Sequence, residues 1–376
     1  MRSSIRLGSL FGIEIGLHYS WFLIALLITM SLGSQFEMSH AEWGPVVIWS
    51  LSILTAILFF VTLVAHEMSH ALVARARGLT TRAITLFALG GVAQIEKEPE
   101  DAKTEFLVGI VGPFSSAVIG VVSLGIAHAL GLRAGAATET PVRAMFEWLG
   151  YINLTLAAFN MIPGYPLDGG RILRSILWLA GHDAVRATQR AAAVGKVIAL
   201  LFIAFGVFRF FGGAGFGGLW IAFIGWFLLQ AATASATSVT FTAGLKGVTV
   251  SDVMTSDCAT IDGNMNVEQF VESRVLPSGN RCFVVEQNGE VAGLVTLHEV
   301  KALERARWPY TTLSDIMRPL GQLHTVAPTT PVMEALETMG RDDVNQLPVV
   351  SGNHLDGIIT RANVLQFLQT RTELGR

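Results

Sequence analysis

Two histidines with a glutamate beside the first lie near the end of a long apolar stretch of this chain. They are His66 and His70, four residues apart, and Glu67 directly follows His66. Residues four apart share one face of a helix, so both imidazoles can reach one metal ion. The glutamate can then accept a proton from a metal-bound water. The alternative is a pair of buried histidines with ordinary partners, but ionisable groups at membrane depth are costly without a function.

A second polar group follows a later apolar segment. Asn160 and Asp168 flank a stretch that contains Pro163 and Pro166, and such prolines break a helix. Irregular backbone at membrane depth is tolerated where it lines a cavity or packs on protein. Asp168 is therefore predicted as the third ligand of a His₂-Asp zinc site whose fourth position is open for water. Asn160 is predicted to donate its amide to a developing oxyanion. The alternatives are a helix-capping aspartate and a helix-packing asparagine.

The composition is that of a membrane protein. The chain has 376 residues, of which 51% are hydrophobic and 15% are charged, and its mean hydropathy is +0.52. Soluble domains carry about 25% charged residues. A net charge of -3, without a basic stripe interleaved with aromatic residues, excludes a nucleic-acid-binding protein.

Apolar segments in the first 240 residues predict a polytopic α-helical membrane protein with about six spans. The first segment is short for a crossing of about 20 residues, so we expect an interfacial start or local bilayer thinning. Ile13, Ile15 and Leu17 alternate before it, which predicts a strand leading into the helix. Basic residues concentrate in the loops that a cytosolic N-terminus would place in the cytosol, and an even number of spans then makes both termini cytosolic. The predicted spans are approximately Tyr19–Leu32, Pro45–Val73, Phe106–Leu130, Ala144–Ile162, Val194–Phe211 and Gly217–Ala236.

A short membrane-associated β-hairpin is predicted between the second and third spans. Gly90 and Gly91 separate two short apolar runs there, which is typical of a hairpin turn. The edge of such a hairpin can pair with an extended peptide, so these glycines are candidate substrate-binding residues. A simple membrane-surface loop is the alternative. In the third span, small residues that include Gly109 and Gly112 are expected to allow close packing and to make room beside the metal helix.

From about residue 237 the chain is polar and contains an internal repeat. The segment 250–254, VSDVM, recurs at 313–317 as LSDIM, and 293–296, GLVT, recurs at 357–360 as GIIT. This offset of about 64 residues is too long for a solenoid repeat. It fits two small α/β modules, each with a short strand, a helix, a strand pair and a closing helix. We therefore predict a transmembrane domain in residues 1–240 and two modules in residues 241–308 and 309–376.

These features together resemble the site-2 protease family of intramembrane zinc metalloproteases. The resemblance is carried by the histidine motif at 66–70, the stretch 160–169 and the six spans. It extends to HYSW at 18–21, LGGVAQIE at 89–96 and VGPFSS at 111–116, so it covers roughly the first 240 residues. The repeat resembles a tandem pair of cytosolic CBS domains, which is typical of the branch of the family that lacks a PDZ domain.

The resemblance implies a protease that cuts transmembrane proteins in the lipid bilayer after local unwinding of their helices. It implies one Zn²⁺ ion held by His66, His70 and Asp168, with Glu67 as general base. It also implies that Asn160 steadies the oxyanion.

Two serines depart from the pattern of the family. Ser115 and Ser116 lie where members often have an asparagine in a G-P-x-x-N pattern, so no catalytic role is expected of them. His18 is expected to pack or to lie at the membrane interface rather than to bind metal.

The CBS pair also departs from the pattern of its family. In modules that bind an adenine nucleotide, an aspartate three residues after the threonine of the G-h-h-T segment holds the ribose. Here Glu299 follows Thr296, and Asn363 follows Thr360. Adenine-nucleotide binding is thus one hypothesis, and a module that forms a homodimer or positions substrate is the other. A CBS-gated transporter and a non-proteolytic metal-binding scaffold are alternatives for the whole chain, but neither needs Glu67.

Overall fold

The computed structural model describes residues 5–88, 90–95, 99–134, 140–256, 260–278, 282–287, 290–352 and 354–374. The chain divides into two compact units, residues 1–239 and 240–376. The strands of the first unit are β1 Ile5–Leu10, β2 Ile13–Leu17, β3 Thr81–Phe87 and β4 Gly90–Ile95. Its helices are α1 Ser20–Ser39, α2 Pro45–Ala76, α3 Ala102–Ala134, α4 Pro141–Asn160, α5 Asp168–Gly181, α6 Ala184–Arg209 and most of α7 Phe216–Gly244, with a π-helical turn at Phe210–Ala214 between the last two.

Five helices in the described part of the chain are long and apolar enough to cross a membrane, namely α1, α2, α3, α6 and α7. They correspond to five of the predicted spans. The expectation of a short first span is wrong, because α1 continues beyond Leu32 to Ser39 and has 20 residues. That length is sufficient for a crossing.

The fourth predicted span is α4, which does not belong to these five. Leu149 of α4 shares a buried cluster with Leu51 of α2, and Leu156 packs on the next cluster with Leu63. From the first cluster to the second, the residue numbers increase in both helices. α4 therefore runs parallel to α2 and lies at the same depth. Asn153 is fully buried. A polar residue therefore lowers the hydropathy of α4 without facing lipid.

The four strands form one sheet in the order β1-β2-β3-β4, in which β2 and β3 are parallel and the other pairs are antiparallel. β2 is the strand predicted before the first span. One face of β3 packs on α2, because Ile84 and Leu86 are buried in clusters with Met68 and Leu63. β4 is the outer strand, and its far edge pairs with no other strand in the described residues.

The predicted hairpin is formed by β3 and β4, but its glycines do not form the turn. Phe87 pairs with Gly90, and Leu86 pairs with Gly91, so both glycines are the first residues of β4. Gly90 has a φ of +137°, a conformation that a residue with a side chain rarely adopts.

The second unit contains the repeated modules, with two sheets in the order β5-β6-β7-β8 and β10-β9. In the second copy the predicted first strand is reduced to a single parallel bridge between Val326 and Val349. The strands are β5 Thr260–Asp262, β6 Cys282–Gln287, β7 Glu290–Thr296, β8 Arg318–Pro319, β9 Gln346–Ser351 and β10 His354–Thr360. The α-helices are α8 Val267–Phe270, α9 Leu276–Ser278, α10 Leu297–Ala302, α11 Leu313–Ile316, α12 Val332–Arg341 and α13 Arg361–Glu373. Shorter 3₁₀ and π turns lie at Val250–Asp252, Arg305–Tyr310, Leu320–Gln322 and Val271–Val275.

Candidate metal centre

The histidine pair lies in the last turns of α2. This helix begins with Pro45 at its first position, where the missing N–H costs nothing. It ends before Gly78, whose φ of +82° reverses the chain so that the Leu79 N–H bonds the Ala74 carbonyl. Between these ends the chain is an uninterrupted helix, and His66 and His70 face the same way with only 3% and 4% of their surface exposed.

The two imidazoles and the Asp168 carboxylate converge on one point. The Nε2 atoms of His66 and His70 are 3.3 Å apart, and each is 3.2 Å from Asp168 Oδ2. Ligands at tetrahedral angles and zinc distances of about 2.0–2.1 Å are separated by about 3.3 Å. The three atoms therefore match three corners of a tetrahedral zinc site.

The outward-facing nitrogens of the histidines are held by α3. His70 Nδ1 lies 2.6 Å from the Val108 carbonyl oxygen, and His66 Nδ1 lies 2.9 Å from Ser116 Oγ. A carbonyl only accepts, so His70 Nδ1 carries a proton and donates it. In the neutral ring Nε2 then presents its lone pair to the centre, which is the arrangement of a metal-bound histidine.

Gly112 completes this face of α3, four residues from both Val108 and Ser116. A β-carbon at Gly112 would lie 2.1 Å from His70 Nε2 and 2.7 Å from His66 Nε2. The expectation that the small residues of the third span make room beside the metal helix therefore holds for Gly112. Ser116, to which no catalytic role is assigned, nevertheless orients a candidate ligand.

Asp168 is the first residue of α5, where the helix dipole favours a negative charge. The preceding loop folds tightly onto the start of this helix, since a β-carbon at Gly169 would lie 2.4 Å from the Met161 carbonyl oxygen. Gly170 is equally constrained, with a β-carbon 2.3 Å from the Tyr165 nitrogen. The two glycines after Asp168 thus allow the broken helix to present its carboxylate, whose side chain is 13% exposed.

A buried ion-pair network joins α3 to α5 behind the cluster. Glu105, at the start of α3, is fully buried. Its Oε1 lies 3.2 Å from Arg171 Nε and 3.3 Å from Arg174 Nη1 on α5. Because Asp168 is one turn before Arg171, this network fixes α5 relative to the helix that holds the histidines. The sequence shows both charges but not that they meet.

Glu67 packs against the start of β4. A β-carbon at Gly91 would lie 2.5 Å from Glu67 Cγ and 2.9 Å from its Oε1, whereas nothing lies within 4 Å of one at Gly90. Of the two predicted substrate-binding glycines, Gly91 alone contacts the predicted general base.

Asn160 is the last residue of α4, and it is partly buried. Its side-chain amide donates to the Leu156 carbonyl oxygen of its own helix at 3.1 Å. The group of metal-ligand residues found in the described part of the chain consists of His66, His70 and Asp168. The structure therefore brings together the three predicted ligands, and Asn160 bonds its own helix.

In the second unit, the two positions that would hold a ribose are both engaged. The Glu299 carboxylate accepts hydrogen bonds from the Thr296 hydroxyl and N–H, and it pairs with Arg318 Nε at 2.7 Å. Burial raises the pKa of Glu299, but these hydrogen bonds and the charge of Arg318 outweigh it and hold the pKa below its ordinary value. Asn363 caps Thr360 in the same way and donates to Thr255 Oγ1 at 2.9 Å.

A buried His₂-Asp cluster at tetrahedral spacing, beside a glutamate and within apolar helices, defines a membrane-embedded metallohydrolase. The family model described as Peptidase family M50 matches residues 54–132 and 124–204. The CBS domain model matches residues 250–304 and 313–370.

Relatives extend the match to nearly the whole chain. One from Mycobacterium tuberculosis, named "Putative zinc metalloprotease Rip3", is 35% identical over 370 residues, covering 98% of this chain and 93% of the relative. Zinc metalloprotease MJ0392 of Methanocaldococcus jannaschii is 29% identical and covers 100% of this chain and 99% of its own length. The solved site-2 protease from the same organism is 30% identical, with a TM-score of 0.43, and covers 62% of this chain and 94% of its own.

The chain belongs to peptidase family M50, the site-2 protease family, and is an integral membrane zinc metalloprotease with two CBS domains. The predicted family, fold class and enzymatic activity are confirmed.

Proposed function

We propose that His66, His70 and Asp168 hold the zinc of this intramembrane metalloprotease and that Glu67 is its general base. The observation that carries the proposal is the spacing of 3.2–3.3 Å among the three candidate ligand atoms inside a bundle of apolar helices. The protease hydrolyses peptide bonds within or near the transmembrane helices of membrane proteins.

Bound zinc would lower the pKa of a coordinated water and polarise the scissile carbonyl. Glu67 accepts the proton of the attacking water on its carboxylate and returns it to the leaving amine. Gly91 leaves space for this carboxylate, because any side chain there would collide with it. Val108 and Ser116 keep the imidazoles oriented during this cycle, as outer-shell partners of metal ligands do.

Asn160 is proposed to stabilise the developing oxyanion. Leu156 packs on the buried cluster that contains Leu63. The two helices are parallel, so one turn further along α4 brings Asn160 to the level of Glu67, one turn beyond Leu63 on α2. In this proposal the amide exchanges the Leu156 carbonyl, its present acceptor, for the oxyanion.

The substrate is proposed to pair with the free edge of β4. Helical carbonyls are hydrogen-bonded and sterically covered, so a transmembrane helix must unwind before it is cut. An unwound segment leaves polar backbone groups without partners in lipid, and an unpaired strand edge satisfies them. Among the described residues, β4 has such an edge, and its second residue, Gly91, contacts Glu67.

We place both termini in the cytosol, from the distribution of basic residues over six spans that include α4. We further propose that residues 241–308 and 309–376 are the two CBS modules and that they are regulatory. The ribose-binding positions are occupied by internal hydrogen bonds of Glu299 and Asn363, which favours homodimerisation or substrate positioning over binding of an adenine nucleotide.

The experiment that tests the catalytic proposal compares wild type with Glu67→Gln in detergent. We expect about one zinc per chain in both, and cleavage of a model transmembrane substrate by wild type alone. Glu147→Gln is the matched control, because Glu147 is a partly buried carboxylate on α4. Cleavage by Glu67→Gln at the wild-type rate would refute the role of this residue. The alternatives, a transporter or a scaffold, require a function that survives this change.

A second experiment tests the pairing with β4 by disulfide formation. Cys258 and Cys282 are first replaced by serine, and Ala93→Cys is introduced on β4. A cysteine near the scissile bond of the substrate is expected to cross-link to this position. It should not cross-link to Ala234→Cys, on an exposed position of α7. Equal cross-linking at both positions would contradict pairing with β4.

A further inference from the structure

The turn between β3 and β4 is tied to the start of α1. The Ala88 N–H donates to Ser20 Oγ at 3.2 Å, and Ser20 Oγ lies 2.9 Å from His18 Nδ1. The His18 N–H donates to the Leu86 carbonyl oxygen at 2.8 Å. One serine hydroxyl thus bridges a histidine ring and a backbone amide of the hairpin.

The hydrogens of this group are fully assigned by its partners. A serine hydroxyl has one proton and accepts through its oxygen. Because Ser20 Oγ accepts from Ala88, its own proton is free to go to His18 Nδ1. The Ser20 N–H also reaches Nδ1, at 3.2 Å. A backbone N–H can only donate, so His18 Nδ1 accepts in both contacts. The neutral ring then carries its proton on Nε2.

The same residues are connected across the sheet to the predicted general base. Leu86, whose carbonyl accepts from His18, is the strand partner of Gly91. Gly91 in turn lies against Glu67, with 2.5 Å between its built β-carbon and Glu67 Cγ. A displacement of the turn therefore moves the edge of β4 relative to Glu67.

We propose that His18 and Ser20 are positioning residues. They fix the position of β4 relative to Glu67 and thereby determine which peptide bond of the substrate is cut. The inference rests on the proposed pairing of substrate with β4. A substrate strand held on β4 presents successive peptide bonds at intervals of about 3.3 Å. A hairpin that is free to shift along the strand by about this interval brings a neighbouring bond within reach of Glu67.

The test is the pattern of cleavage sites of a model transmembrane substrate, determined by mass spectrometry of the products. In Ser20→Ala we expect cleavage to spread from one main bond to its neighbours. We expect KM to rise about tenfold, because the substitution removes both hydrogen bonds of the hydroxyl, to Ala88 and to His18, and we expect zinc content to be unchanged. Ser20→Thr keeps the hydroxyl and should restore the wild-type pattern. Thr29→Val is the control, because the Thr29 hydroxyl bonds its own helix, at the Ala25 carbonyl oxygen.

Several outcomes would overturn the proposal. A wild-type cleavage pattern in Ser20→Ala with only a lower kcat would show that the contact does not position the substrate. Loss of zinc or of folded protein in this variant would show a structural role, and His18→Gln, which retains Ser20 and Ala88, must then give the spread pattern for the proposal to stand. If Ala93→Cys does not cross-link to substrate in the wild-type background, the failure lies in the pairing with β4 instead.

Discussion

Replacement of Gly112 by alanine is expected to abolish zinc binding while the fold is retained. The new β-carbon would lie 2.1 Å from His70 Nε2 and 2.7 Å from His66 Nε2. Non-bonded heavy atoms need about 3.5 Å, so the His70 ring must retreat by more than about 1 Å. Zinc–ligand distances tolerate only about 0.2 Å.

The size of the effect can be bounded. Loss of an outer-shell partner alone weakens metal binding by about 10- to 100-fold. Here the β-carbon meets the ligand atoms themselves, so the loss of affinity is expected to exceed about 100-fold. The helix should not suffer, since alanine is favoured over glycine in a helix interior by about 1 kcal/mol.

The assay is zinc content per chain across a series of buffered free-zinc concentrations, with thermal unfolding measured on the same samples. Gly125→Ala is the matched control, because Gly125 is on the same helix and nothing lies within 4 Å of its built β-carbon. We expect Gly125→Ala to bind zinc with wild-type affinity. At the same free-zinc concentrations we expect no bound zinc in Gly112→Ala. If Gly112→Ala binds zinc and cleaves substrate like wild type, the imidazoles do not hold the metal at the face of α3, and the assigned ligand set is wrong.

Three further predictions follow from individual contacts. Ser116→Ala removes the partner of a ligand histidine, so zinc affinity should fall about 10- to 100-fold in the same titration, and an unchanged affinity would contradict this. Glu105→Gln removes the buried carboxylate charge that pairs with Arg171 and Arg174, which should destabilise the membrane unit by up to about 3–5 kcal/mol and lower its thermal midpoint, whereas an unchanged midpoint would show that the other contacts of these arginines are sufficient. Because the pKa of Glu299 is held below its ordinary value, the stability that its carboxylate contributes is present above the ordinary pKa and is lost as pH falls through the lower folded pKa. The protection factors of the amides of residues 290–319, which are exchange rates corrected for the intrinsic slowing of exchange in acid, should therefore fall at acidic pH in wild type. An equal fall in Glu299→Gln would refute the assignment.

The candidate ligands are accessible to sequence reasoning because each is marked by its local surroundings. The spacing of His66 and His70 is helical, and the prolines and glycines around Asp168 indicate a helix that is broken at membrane depth. These are properties of short segments. Such segments form the same local structure wherever the rest of the chain lies, so the sequence is sufficient for a hypothesis about them.

The partners of these residues depend on tertiary packing, which local patterns do not contain. Ser116 and Glu105 acquire their roles only from the face that α3 turns towards α2 and α5. The Val108 carbonyl has no sequence signal at all, because every residue has a carbonyl. The prediction that Gly90 and Gly91 form the hairpin turn is wrong for a related reason. Gly90 has a strand conformation that suits glycine, and Gly91 leaves space for Glu67, so both glycines belong to β4.

The serine at position 116 shows how a departure from a family motif can be interpreted. An asparagine is common at this position in the family, and its absence argues against a role in the chemistry. Yet Ser116 Oγ lies 2.9 Å from His66 Nδ1. A hydroxyl donates and accepts, so it satisfies this nitrogen in either tautomer. Ser116 therefore supplies a hydrogen-bonding group that reaches His66 from a helix packed closely against α2.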